Sequence, residues 1–231
     1  MSVRTKKAVL CAANLRTTLA GVARESVQCG LNQGSSGNVS VRTASGFLIT
    51  PSGQAMAALT AADMVAMALD GSVLAGESET EESEVEARPS SEWRFHRDIY
   101  AAFPQAEAVV HAHSPFAVAV ACLRRDIPPF HYMVAMAGGR DIRCAAYATF
   151  GTQALSDAVL LALQDRRACL MANHGLLAWG RSLPAALALA NEVEALCGQY
   201  LRACQLGEPV LLNEAEMGEV LEKFKDYGAG C

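Results

Sequence analysis

The sequence predicts an α/β fold: a mixed, mainly antiparallel sheet with helices on its faces, in a single domain over residues 1–231. Helix-like and strand-like segments alternate along the chain. Several neighbouring strand-like runs are separated by short turn sequences, as in hairpins. The chain has 231 residues, 52% of them hydrophobic. That length fits one domain or two small ones, with a full core and no need of staples.

Residues 5–29 read as a helix, with Val9, Leu10, Ala13, Leu19, Ala20, Val22 and Val27 at mixed three and four spacing. Gly30 is placed to stop it. A turn-rich loop, 31–38, precedes the alternating strand Val39–Arg42. Ser45-Gly46 marks a turn into a second strand, Phe47–Thr50, ended by Pro51-Ser52-Gly53. Residues 60–68 suggest a short helix, with Thr60 as cap and Asp63 at the capping-box position. The acidic run 77–86 reads as a solvated surface loop. Ser90-Ser91-Glu92 caps a helix running to about Ala102 and ending near Pro104. A strand carrying His111 and His113 follows, then a helix from Pro115 to Leu123 with proline at its start. Residues 124–151 read as loop and short strand, 152–166 as helix, and 168–172 and 175–179 as strands. Helices over 182–205 and 213–225 complete the chain before a short tail, 227–231.

The formal charge is -5 and no basic block exists, so nucleic acid is not an expected partner. No apolar stretch is long enough to span a membrane, and no membrane partner is expected. The first seven residues are basic like the start of a leader. Asn14, Arg16, Thr17 and Thr18 then interrupt 8–23, which reads as an amphipathic helix instead. The eight cysteines, at 11, 29, 122, 144, 169, 197, 204 and 231, form no Cys-x-x-Cys pair. They read as free thiols in a reducing cytoplasm, the expected location.

The chemistry centres on His111-Ala112-His113. Residues i and i+2 of a strand share a face, so both imidazoles can grip one ion. His174 follows another short apolar run, 168–172, and the chain has only five histidines in all. Taken singly, each His is a satisfied core residue; taken as three at strand ends, they read as a metal site with an open position. Zinc leads on ligand type, and manganese, cobalt or iron suit the same ligands. Glu92, at a helix start, is either a routine dipole partner, a fourth ligand, or an acid/base beside the metal. Three small-residue loops, at Gly37-Asn38, at Thr50–Gly53 and at Ser90-Ser91, offer N–H groups and hydroxyls suited to a phosphate. Each is also an ordinary turn or cap. Tyr132 and Tyr227 are further polar candidates, although most tyrosines are packing residues.

A family resemblance adds to this reading. It rests on Gly30-Leu-Asn-Gln-Gly34, Gly37-Asn-Val-Ser-Val-Arg42, Ile49-Thr-Pro51, Pro89-Ser-Ser-Glu-Trp-Arg-Phe-His96 and Val109-Val-His-Ala-His113. It continues through His131-Tyr-Met133, Tyr147-Ala-Thr-Phe-Gly-Thr152, His174-Gly-Leu176 and Leu221-Glu-Lys-Phe-Lys225 with Tyr227. In these motifs, in this order, the chain resembles the class II aldolase/adducin family, most of all its aldolases of L-fuculose 1-phosphate. The resemblance implies a three-layer α/β/α sandwich and a homotetramer with the active site at the subunit interface. It implies zinc on His111, His113 and His174, with Glu92 as movable ligand and acid/base. Gly37, Asn38, Ser52, Gly53, Ser90 and Ser91 would bind the substrate phosphate. Tyr132 would serve the aldehyde oxygen, and Tyr227, on a mobile tail, would close over the site.

The implied reaction cleaves a 1-phosphoketose to dihydroxyacetone phosphate and a small aldehyde, through an enediolate stabilised by the metal. No Schiff-base lysine is needed. The tail after Tyr227 is Gly-Ala-Gly-Cys, without the basic residue expected there. The aldehyde therefore stays open between that of L-fuculose 1-phosphate and those of 5-deoxyribulose or 5-methylthioribulose 1-phosphate. Two other readings compete: an epimerase, decarboxylase or dehydratase of phosphorylated sugars, and a non-catalytic scaffold. Where Glu92 stands, the family's epimerases carry Asp, and a scaffold has no use for the His set with Glu92.

Overall fold

The computed structural model describes residues 3–74 and 88–226. The acidic run 77–86 and the tail with Tyr227 lie outside the described residues. The strands are β1 (Asn38–Arg42), β2 (Phe47–Ile49), β3 (Val65–Met67), β4 (Ala108–Ala112), β5 (Cys144–Ala145), β6 (Ala168–Met171) and β7 (Gly175–Gly180). The helices are α1 (Val3–Gln28), α2 (Trp93–Ala102), α3 (Pro115–Ala121), α4 (Gln153–Ala162), α5 (Leu183–Leu206) and α6 (Glu214–Asp226). The seven strands form one sheet in the order β3-β2-β1-β4-β7-β6-β5. Every pairing is antiparallel except β5 with β6.

Strand alternation divides the core in two. Val39, Val41, Leu48, Val110, Leu170 and Leu176 point to one face, where they meet Leu19, Val22 and Ala23 of α1 and Leu187, Ala190 and Val193 of α5. Phe47, Ile49, Val109, Cys169, Leu177 and Trp179 point to the other, against Phe95 and Ile99 of α2 and Leu155 and Val159 of α4. Each large apolar side chain buried this way contributes roughly 1.5–3 kcal/mol. The result is the expected three-layer α/β/α sandwich. Among the described residues no helix is long and apolar enough to cross a membrane. The six cysteines whose side chains are described are free thiols.

The expected helix over 60–68 is corrected. Its capping box forms, with Thr60 and Asp63 bonded reciprocally, but it opens only a single 3-10 turn at Ala61–Asp63. The apolar residues that follow become edge strand β3, paired Ile49↔Val65 and Phe47↔Met67. A short apolar run carries no period that separates helix from strand, and the open edge of β2 decides the matter. The segment 124–151 adds a 3-10 helix at Tyr132–Ala137 to the expected short strand.

Helix α3 matters to the site because it begins two residues after His113. Its N-cap, Ser114, makes no capping bond of its own. Glu194 of α5 supplies the acceptor instead, taking bonds from Ser114 Oγ (2.6 Å) and from the N–H groups of Phe116 (2.9 Å) and Ala117 (2.8 Å). A carboxylate there also meets the positive end of the helix. Glu194→Ala leaves these donors without a partner and is expected to cost about 2–3 kcal/mol. A urea or thermal unfolding midpoint equal to the parent's would refute this remote cap.

Candidate metal centre and substrate cleft

Register builds the site. At the middle of the sheet Asn38 of β1 lies opposite His111 of β4, and His111 lies opposite Leu177 of β7. Asn38 and His111 therefore sit side by side on the α2/α4 face. His113 is two residues on, just beyond the end of β4, and its backbone N–H donates to Asn32 Oδ1 (3.1 Å). His174 comes from the turn that joins β6 to β7, and Asn173 before it takes a left-handed φ of 55°. Two glycines make room. A Cβ on Gly175 would lie 2.3 Å from the Ala112 carbonyl oxygen and 3.2 Å from the His113 ring. Gly37, at φ 74°, clears the Asn32 side chain, which a Cβ would meet at 2.1 Å. Glu92 stands at the N-cap of α2, yet its carboxylate makes no capping bond. It turns to the histidines instead.

The ligand atoms of Glu92, His111, His113 and His174 all lie within 4.8 Å of one another. The three imidazole rings meet pairwise edge to face, each pair at 4.8 Å between centroids. His111 Nε2 is 3.0 Å from His113 Nε2 and 3.1 Å from Glu92 Oε2. His174 Nε2 is 3.3 Å from Glu92 Oε1. The Leu176 carbonyl, 2.8 Å from His111 Nδ1, can only accept, so that nitrogen carries the proton and Nε2 presents a lone pair. Lone pairs and carboxylate oxygens then converge on one point. Glu92 Oε1 is buried without a hydrogen-bond partner. A divalent cation satisfies all of these groups at once. Four ligands at roughly 2.0 Å in a tetrahedron stand about 3.3 Å apart, close to the short separations here. The residues fit a metal, and the Leu176 contact is the outer bond that orients such a ligand.

The electrostatics agree with that use. Burial, reinforced by the neighbouring imidazoles, lowers His113 to about 3 and His174 to about 4. Both are therefore neutral and ready to ligate. Burial raises the Glu92 carboxyl, whereas positive charge at the imidazole cluster and the Asn38 amide lower it further, to about 2; with His113 and His174 neutral, a bound cation is the natural source of that charge.

The centre opens onto a cleft of about 340 Å³. Gly37, Asn38, Ser52, Gly53, Ser90 and Ser91 all line this cleft together with Glu92, His113 and His174. The fold thus gathers three loops far apart in sequence. Ser90 Oγ also accepts from the Glu92 N–H (3.3 Å) at the start of α2. Tyr132 is not brought there. It is half exposed and lines a separate hollow with Met133, Val220, Lys223 and Phe224. Tyr227 lies outside the described residues. Sequence reasoning passed over Asn32, His96, Tyr147, Phe150 and Asn173. Tyr147, Phe150 and Asn173 line the cleft, and the two aromatic rings are largely exposed. Exposed aromatics beside a Gly-Thr turn were the available signal for these two. Asn32 and His96 had none, because each acts through a partner distant in sequence.

The pKa shifts set a stability profile for the metal-free protein. His96, His113 and His174 lie below their ordinary 6.5, so the unfolded chain binds more protons than the folded one from pH 6.5 down to about 4. Stability then falls as pH falls through that window. Glu92, held at about 2 against 4.5, adds a further loss below pH 4.5. The urea midpoint of metal-free protein is expected to drop steadily between about pH 7 and pH 4.5. A flat midpoint across that range would show that the imidazoles are not held neutral.

Comparison with known proteins sets this geometry in a family. A profile of the Class II Aldolase and Adducin N-terminal domain matches residues 17–201. A 5-methylthioribulose-1-phosphate/5-deoxyribulose-1-phosphate aldolase of Rhodospirillum rubrum is 52% identical over 214 residues, covering 93% of this chain and 92% of the relative. An L-fuculose phosphate aldolase of Escherichia coli K12 is 48% identical over 205 residues, covering 88% and 91%. A solved L-fuculose 1-phosphate aldolase superposes with a TM-score of 0.84 at 38% identity, covering 92% of this chain and 96% of that one. The fold, the matched span and these relatives together show that the chain belongs to the class II aldolase and adducin family.

Proposed function

We propose that this chain is a zinc-dependent aldolase that cleaves a ketose 1-phosphate into dihydroxyacetone phosphate and a small aldehyde. The observation that carries the reading is the sharing of one cleft by a Glu/His cluster fit for a metal and by loops rich in N–H and hydroxyl donors. The relatives' names support it. L-fuculose 1-phosphate, 5-deoxyribulose 1-phosphate and 5-methylthioribulose 1-phosphate share a phosphorylated ketone end and differ in the aldehyde end. That end closes in a methyl or a methylthio group in each, and the exposed rings of Tyr147 and Phe150 suit it.

His111, His113 and His174 would hold the zinc, which when bound supplies Lewis-acid polarisation of the substrate ketone. Among the described residues no lysine lines the cleft, so a Schiff base has no candidate among them. No arginine lines it either. The phosphate would be held by Gly37, Asn38, Ser52, Gly53, Ser90 and Ser91, through serine hydroxyls and the positive end of α2; the N–H groups of Ser52 and Ser90 are themselves bonded to the Arg88 and Thr50 carbonyls. In cleavage the C4 hydroxyl gives up its proton and the C3–C4 bond breaks. Its electron pair stays with the ketone half, and Glu92, ionised at rest, takes up the proton that leaves the C4 hydroxyl and passes it to C3. Tyr132 would stand at the C4 oxygen and relay that proton, its phenol giving up one proton as it takes another, and would donate to the aldehyde oxygen in the reverse direction. Since Tyr132 lies outside the cleft of its own chain, the reading places it in the cleft of a neighbouring copy within a homotetramer. Tyr227, at the chain end, would close over the same site.

Incubation of metal-loaded protein with the three ketose phosphates, coupled to detection of dihydroxyacetone phosphate, tests the reaction. Release from at least one, abolished by chelator and restored by zinc, is expected. No release from any would move the reading to decarboxylase or dehydratase chemistry. The shared site has its own test. Glu92→Gln and Tyr132→Phe are each expected to lose about 100-fold or more in turnover. Co-refolding the two variants should recover activity, because some clefts would combine an intact Glu92 with a neighbour's intact Tyr132. No gain on mixing would place both residues in one chain's site.

A further inference from the structure

We propose that His96 is a positioning residue, the middle link of a buried hydrogen-bond chain Tyr100–Ser40–His96–Asn38–Glu92 whose polarity holds Glu92 as a proton acceptor facing the cleft. The significance given to Glu92 rests on the aldolase reading above; the chain itself does not. All five residues are buried, Ser40 and His96 completely. They come from two elements whose periods interleave. Glu92, His96 and Tyr100 are spaced by four at and along α2 and share one face of it. Asn38 and Ser40 are spaced by two on β1 and share one face of the sheet. Helix and strand therefore mesh as a polar zipper, with each strand residue between two helix residues.

The contacts admit one direction. Asn38 Nδ2 is 3.0 Å from Glu92 Oε2, and an ionised carboxylate only accepts, so the amide nitrogen must face it. Asn38 Oδ1 then faces His96 Nε2, which must carry the imidazole proton. His96 Nδ1 is left an acceptor, 2.7 Å from Ser40 Oγ, so Ser40 donates. Ser40 Oγ in turn accepts from Tyr100 OH at 2.7 Å. The reverse polarity sets the Asn38 amide oxygen against the Glu92 carboxylate. Besides His111 and Arg42, the face on which this chain lies is apolar, with Phe47, Val109 and Leu177 in its core. A packing histidine would need only Ser40 for company. The link to Asn38 is what joins it to Glu92.

The test uses the full-length parent with His96→Gln, His96→Leu and Ser40→Ala. The readouts are kcat and KM on whichever ketose phosphate the parent cleaves, metal bound per chain, and imidazole nitrogen NMR shifts of metal-free protein. His96→Leu is expected to lose about 10- to 100-fold in kcat, with KM near the parent's and metal content unchanged. His96→Gln places an amide N–H near the former Nε2 position and should recover most of that loss. The parent should show His96 as the Nε2–H tautomer, and Ser40→Ala should weaken that preference. A folded, metal-loaded His96→Leu with parental kcat would overturn the proposal. So would a His96→Gln as poor as His96→Leu, or an Nδ1–H tautomer in the parent. If His96→Leu does not fold, the Ser40→Ala and tautomer results decide. If the metal-loaded parent cleaves none of the substrates, the aldolase reading fails, and the tautomer still decides the polarity of the chain.

Discussion

The register of three antiparallel strands governs this molecule. β1, β4 and β7 bring Asn38, His111 and Leu177 into line at the centre of the sheet. Side chains alternate along a strand, so a slip of one residue would turn His111 into the apolar layer under α1 and α5 and put Val110 in its place. The apolar neighbours forbid that slip. Val110 and Leu176 are buried on one face, and Val109 and Leu177 on the other. The packing that stabilises the sheet is thus the packing that aims the His111 imidazole at the candidate metal centre.

A second constraint is the cost of burying Glu92. An isolated carboxylate in an apolar interior would take up a proton. Here positive charge at the imidazole cluster and the Asn38 amide outweigh desolvation and favour the ionised group. His113 and His174 are kept neutral by burial, so the site gathers lone pairs beside a carboxylate, an arrangement suited to a cation. The cleft beside it is built differently. It is lined by serine hydroxyls and a helix start, without a lysine or arginine among the described residues that line it. Oriented dipoles of this kind suit a chain of formal charge -5, because they need no local excess of basic residues.

Much of this arrangement was legible in the chain before folding. His111 and His113 two apart after an apolar run announce a shared face. Thr60 and Asp63 announce a capping box, and it forms. The alternation of helices and strands announces the layered fold. What was not legible follows a pattern. Residues 60–68 read as a short helix, yet the free edge of β2 draws Val65–Met67 into β3. Glu92, His96 and Tyr100 are visibly spaced by four, and Asn38 and Ser40 by two, yet neither set reveals the other. Glu194 reads as one more charge on a long helix, although it caps α3 from 77 residues away.

The sequence by itself determined the chemistry available: which residues can ligate a metal, which loops can donate to an anion, and which faces must be buried. Those properties are local, written in residue type and in the two periods of secondary structure. Only the tertiary structure decided which of them meet. It gathered Glu92, His111, His113 and His174 into a single centre and three small-residue loops into a single cleft. It left Tyr132 outside in a hollow of its own. The physical reason is that convergence depends on strand register and layer packing, which are set by contacts between segments far apart in the chain, and no local pattern encodes their distances.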